Sequence, residues 1–320
     1  MARPPSPLEL YLERTLEMFV SSGDVDGLAL STLRLARLRH AADAGSESVE
    51  SLLNSALMAL EGYDRRDLRA RLFLSYAEFG CGDAKHRALA LDEAERLWAE
   101  YPEGLVSIDW VRADADVAAG HLDRAAQRHG QAAARLRAAG IDPNLVAEQV
   151  LIQASLHRLR RDPVSALDAL CAVDVVSCLP PLRAAFVEQR GWATLERGQA
   201  GEALALARQA LSDLGDEDDA TLSTPRGKLS LLLADAALAT GDVDTALEAV
   251  EALESLPTTD AELQCHISLC RAEVHLARGD RTAAMRHERL AAKRLANTEP
   301  PPQVLSERLE DLRQALATSP

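Results

Sequence analysis

One local pattern recurs along this chain and limits its fold more than any other feature. An apolar helical stretch ends in Gly or Gly-Asp, Ala follows five residues later, and a second helical stretch begins. LSLLLADAALATGDVDTALEAVEALESLP shows it most clearly, with Gly241, Asp242, Ala246 and a closing Pro257. Further copies turn at Gly279 (Asp280, Ala284), Gly198 (Ala203) and Gly120 (Ala125). Another has Arg161 in the Gly place, followed by Asp162 and Ala166. A copy around Gly80 fits with a short insertion before Pro102, and a fainter first copy centres on Gly45. The turn positions 45, 80, 120, 161, 198, 241 and 279 are 35 to 43 residues apart. A step near 40 with a helix on each side of every turn is a row of helical hairpins. Gly ends the first helix in the left-handed conformation without steric cost. Asp162, Asp242 and Asp280 are placed to cap the second helix, and Pro163 sits where a missing N–H is harmless. The recurring Ala lies where the two helices of a hairpin cross.

Composition agrees with this reading. The chain of 320 residues has 47% hydrophobic residues but only 3% aromatic ones. That is poor material for a β-sandwich or barrel, which draws on β-branched and aromatic side chains. With 17 Gly, 14 Pro and high apolar content, collagen-like and disordered classes are excluded. A net charge of −15 argues against direct nucleic-acid binding, which needs clustered cations.

The same residues resemble the tetratricopeptide repeat (TPR). Gly191 stands at that family's small first-helix place, where other copies have Ala113, Ala154, Ala234 and Ala272, and Tyr76 keeps its aromatic. The repeats are longer than the usual ~34 residues, and the Tyr place elsewhere holds Asp116, His157, Thr194, Ala237 or His275. The resemblance covers roughly residues 30–300 and is to the degenerate, long-repeat type found in bacterial regulatory proteins. It implies an all-α, right-handed superhelical solenoid of about six to seven antiparallel hairpins with capping helices at both ends. Residues 1–7 form a disordered lead, 8–299 the solenoid and 303–320 the C-terminal cap. The N-terminal cap, about Leu8 to Ser21, carries Leu8, Tyr11, Leu12, Leu16 and Phe19 on one face. The last helix, about Val304 to Ala317, carries Leu305, Leu309, Leu312 and Leu316. The acidic, then Ser/Thr/Pro-rich stretch at 213–228 reads as a surface loop. It lacks the spacing of an EF-hand.

Nothing in the sequence announces chemistry. There is no phosphate-cradling glycine loop, and no HExxH, GxSxG or CxxC. His266 and Cys270 share a helix face, but Cys265 and His275 do not join them at ligand spacing. No enzymatic activity, metal or cofactor is expected. Five cysteines make no disulfide framework. With neither a secretory signal nor a run long enough to span a bilayer, a cytoplasmic location without membrane contact is expected.

What the resemblance implies is protein–protein interaction. In TPR-like solenoids the first helix of each hairpin lines a concave groove where a protein or peptide docks. Registering the copies on their turns puts Trp110, Asp114, Arg158, Glu188, Trp192, Asp235 and Glu273 in that groove, with Ser155, Leu195, Leu231, Leu238 and Leu269 beside them. Two readings of Trp110 and Trp192 stand side by side: filling gaps between hairpins, or anchoring a partner. The acidic positions favour a basic or amphipathic partner. The Lys and Asn of chaperone-binding TPR clamps are missing. The function expected is a non-enzymatic scaffold. Its alternative is a sensor or regulatory subunit of a bacterial signalling or defence system, with a separately encoded ATPase, transcription factor or caspase-like protease as effector. Self-association through the terminal helices is a further expectation.

Overall fold

The computed structural model describes residues 6–42, 46–214, 223–255, 260–298 and 302–318. Among these, regular structure is helical throughout. The chain divides into two compact units, Met1–Gln149 and Val150–Pro320.

In the first unit α1 (Pro7–Ser22) packs on α2 (Val25–Ala41), which pairs with α3 (Ser46–Ala59). The hairpins α4 (Arg66–Glu78) with α5 (Ala84–Leu97) and α6 (Pro102–Ala118) with α7 (Leu122–Ala138) follow. α8 (Pro143–Leu159) runs through the boundary. In the second unit α9 (Pro163–Cys171) completes the hairpin begun by α8. Three more hairpins come next: α10 (Pro180–Glu196) with α11 (Ala200–Leu214), α12 (Ser223–Thr240) with α13 (Val243–Ser255), and α14 (Ala261–Ala277) with α15 (Arg281–Leu295). α16 (Gln303–Thr318) closes the row. Neighbouring hairpins touch first helix to first helix, as α10 with α12 and α12 with α14.

The turns are built as the recurring pattern requires. Gly80, Gly120, Arg161, Gly198, Gly241 and Gly279 all have positive φ, from 58° to 80°. At each, the turn residue donates its N–H to the carbonyl three residues back, and the next residue donates to the one five positions before itself. This is the Schellman arrangement, and it satisfies carbonyls the helix end leaves open. Arg161 is the only non-Gly residue with positive φ among those described. The Asp side chains cap as expected, accepting from the amides of Ser165, Thr245 and Ala283. Ala125, Ala166, Ala203, Ala246 and Ala284 are fully buried at the crossings. Gly191 brings first helices together: a Cβ there would lie 2.2 Å from Leu232 Cδ2. Tyr76, at the aromatic place, donates its hydroxyl to Glu50 (2.7 Å). Burial, then that bond, push its phenol up to about 12.

Several expectations need correction. Residues 223–228 are not part of a surface loop; they form the first turns of α12, while 213 and 214 end α11. α1 packs on α2 as a terminal helix, but not all of its apolar stripe is covered. Leu12 is buried, but Leu8 and Tyr11 are 52% and 65% exposed. Residues 1–5 of the expected lead, Gly45, 215–222, Pro257, and Pro300 with Pro301 lie outside the described residues. Ser6 caps α1 and Pro7 opens it. The C-terminal stripe of Leu305, Leu309, Leu312 and Leu316 is buried on the α14–α15 hairpin against Leu269, Ala272 and Ala291. Four cysteines are buried and Cys171 is exposed. No described helix is long and apolar enough to cross a membrane.

Candidate partner-binding grooves

Five of the seven groove residues read from the sequence belong to the second unit, and the fold gathers them. Arg158, Glu188, Trp192 and Asp235 line one cavity of roughly 550 Å³, formed by α8, α10, α12, α14 and α16. Glu273 joins through Arg308 of α16. Trp192 fills a gap between hairpins without being closed off from the groove. It packs half-buried against the cluster of Leu231 and Leu263, and it also faces the cavity. Arg158 stands 5.5 Å from its ring centroid. That guanidinium is held by Glu196 (2.7 and 2.9 Å) and Gln189 (2.9 Å).

Asp235 and Glu273 are engaged from within the chain. Arg308 Nε donates to Glu273 Oε1 (2.8 Å), and Nη2 donates to Glu273 Oε2 (2.5 Å) and Asp235 Oδ1 (2.7 Å). Nη1 donates to Asp235 Oδ2 (2.8 Å) and lies 2.6 Å from His266 Nε2, which itself sits 3.0 Å from Asp235 Oδ2. Four of the five N–H groups of the guanidinium thus have carboxylate acceptors. Burial alone would raise the Asp235 pKa, but the charges of Arg308 and then His266 win and hold it far below the usual carboxylate range. Burial would likewise lower Arg308, yet Asp235, Cys270 and Glu273 keep it well above its ordinary value.

Asp235 also supplies a third donor that the sequence reading of His266 and Cys270 lacked. Ligand atoms of the three lie within 4.8 Å of one another. The positive charge such a set calls for is delivered by Arg308. Sequence reasoning missed Arg308 because α16 was legible only through its leucines. The one available signal was its position beside Leu309, at the edge of the stripe. Lys228 and Thr224 were hidden by the loop reading of 213–228, yet both line the cavity.

Glu188 differs from the other acids. It is only 8% exposed, and burial raises its pKa against the pull of Lys228 and Arg158. The indole N–H of Trp192 and a long hydrogen bond from Gln189 Nε2 (3.5 Å) also favour its charged form.

Trp110 and Asp114 lie in the first unit. Trp110 is 40% exposed and donates its indole N–H to Gln149 (2.5 Å), whose oxygen also meets His129 Nδ1 (3.0 Å). Asp114 is exposed on α6 and has no hydrogen bond or ion pair among the described residues. Neither lines the first unit's own groove, a cavity of roughly 950 Å³ under α1. That groove holds Leu8, Tyr11, Leu30, Leu74 and Tyr101, with Arg34 and Arg37 exposed on α2. Its buried tryptophan is Trp98, which donates to Asp67 (2.9 Å).

No family model and no curated protein matches the chain. Among solved structures, a tetratricopeptide repeat protein from Parabacteroides merdae is similar at 15% identity, with a TM-score of 0.51 over 96% of this chain and all of that one. The Cut9–Hcn1 hetero-tetramer of the APC/C gives 15% identity and a TM-score of 0.48 over 94% of this chain, which spans 55% of the matched chain. The first of these likenesses, with the helical hairpins described above, shows the fold to be a TPR-like array.

Proposed function

We propose that the chain is a non-enzymatic, cytoplasmic scaffold that holds a protein or peptide partner, basic or amphipathic in character, in the groove of the second unit. The observation that carries this reading is the lining of that groove. A half-buried Trp192, the apolar Leu195, Leu231 and Leu263, and the buried carboxylate of Glu188 converge on one cavity. Concave surfaces that combine apolar walls with a few convergent polar groups are the usual form of binding sites. Trp192 has the size and polarity of an interface anchor, whose truncation costs ~2 kcal/mol or more.

The test is crosslinking and affinity capture with the full chain and its Trp192→Ala variant. A partner held by the wild type and lost by the variant supports the groove. Equal recovery by both sinks it. Trp110 and Asp114 belong to the same proposal as a separate contact in the first unit, checked by Trp110→Ala. The captured partner also decides whether this is a general scaffold or the regulatory subunit of a system whose effector is a separate chain. Sedimentation at high micromolar concentration tests self-association through the exposed apolar side chains of α1.

A further inference from the structure

The Arg308 cage shows what chemistry the acids of this groove accept. Two carboxylates accept four of the N–H groups of one guanidinium. That cage is fixed. α16 is held by four buried leucines besides its arginine, and removing the cation would strand a buried Asp235 charge. Asp235 and Glu273 are therefore committed to the fold, and recognition falls to the other end of the cavity.

There Glu188 makes no ion pair within 4 Å among the described residues, although it is nine-tenths buried and lines the cavity. Its neighbouring cations do not close on it. Arg158 is bound to Glu196 and Gln189, and Lys228 is exposed at the start of α12 with no ion pair described. Five carboxylates and three cations line the cavity, so its balance favours a cationic guest. Leu195, Leu231 and Leu263 beside Trp192 give a methylene stem an apolar wall.

We propose that Glu188 receives an arginine side chain of the bound partner, with the stem lying along the Trp192–Leu231–Leu263 wall. Arginine suits the place better than lysine, because its guanidinium is less strongly hydrated and donates to a carboxylate through a planar fork. Lys228 then acts as a competing neighbour that weakens the pairing. The assignment rests on the groove reading above and names the chemistry that groove selects.

The test titrates the full chain with a capped pentapeptide, Ala-Leu-Arg-Leu-Ala, and its citrulline and lysine counterparts. Binding is read from the Trp192 indole N–H resonance, assigned with Trp192→Phe. The arginine peptide should shift that resonance saturably, with lysine weaker and the neutral citrulline peptide at least about tenfold weaker. Glu188→Gln should reduce the arginine peptide to the citrulline level, and Lys228→Gln should tighten it severalfold. Equal binding of arginine and citrulline peptides, indifference to Glu188→Gln, or no binding of any peptide to the wild type overturns the proposal. Partner capture separates the two levels. Loss with Trp192→Ala but not with Glu188→Gln leaves the groove standing and removes the arginine; loss with neither removes the groove itself.

Discussion

The two units carry the same hairpins but treat the exposed face of their first helices in opposite ways. In the second unit two groove acids, Glu188 and Asp235, are buried, and Asp235 is paired with a cation from α16. In the first unit the groove sets leucines and tyrosines beside charged side chains that are all exposed, Arg34, Arg37, Asp67, Arg71, Glu78 and Glu103. The difference follows from which positions the repeat uses. Each hairpin uses a left-handed turn residue and a small residue at the crossing, and several add a capping side chain. It leaves the remaining first-helix positions free, and there the two units diverge. A terminal helix can dock with a partly exposed ion pair beside its apolar contact, as α1 does through Glu13–Arg39 and Leu12, or with a buried one, as α16 does through Arg308.

The sharpest way to break this comparison is Arg308→Ala. It leaves Asp235 buried without its cation and should cost ~3–5 kcal/mol in urea unfolding, with α16 amides losing protection from exchange. Arg37→Ala in the first unit should stay within ~0.5 kcal/mol. Equal effects would mean that Arg308 is no more structural than a surface arginine. Acid is the reversible form of the same break. The Asp235 pKa is lowered in the fold, so the stability it contributes is present above the ordinary Asp value of ~3.9 and is lost as pH falls below it. Hydrogen exchange along a descending pH series should show α16 loosening first.

Gly191→Ala comes next, at ~1–3 kcal/mol, because the new methyl meets Leu232 with no room to spare. A neutral result in thermal denaturation would mean that α10 and α12 have slack between them. Glu188→Gln should have the opposite sign near neutral pH, with a gain smaller than the Gly191→Ala loss. Here the folded pKa is raised, so the related stability is present below the ordinary Glu value and lost as pH rises through the folded one. The variant should flatten that part of the stability profile; an unchanged profile would show that Glu188 is not strained. Arg161→Gly closes the series. It relieves a left-handed arginine but loses an exposed pair to Glu307, so a gain of no more than ~1 kcal/mol in chemical denaturation is expected.

Much of the fold was legible before any coordinates because its signals are local. A turn needs positive φ, and Gly supplies it. Arg161 could be placed at such a turn only because its neighbours Asp162, Pro163 and Ala166 kept the pattern. The candidate site was half legible. Register along the first helices brought Arg158, Glu188, Trp192 and Asp235 to one cavity, but it could not show that Arg308 had already taken Asp235. A stretch of Ser, Thr and Pro looked like loop and instead opened a helix, which concealed Lys228.

Periodicity and turn chemistry by themselves determined that this chain is an array of helical hairpins, where each turn falls, and which alanines meet at the crossings. These are short-range constraints, each settled within about ten residues. Only the tertiary structure decided which groove acids are paired and which are left for a guest. Charge satisfaction depends on side chains that approach through space: Arg308 lies 73 residues from Asp235 in sequence and 2.7 Å from it in the fold.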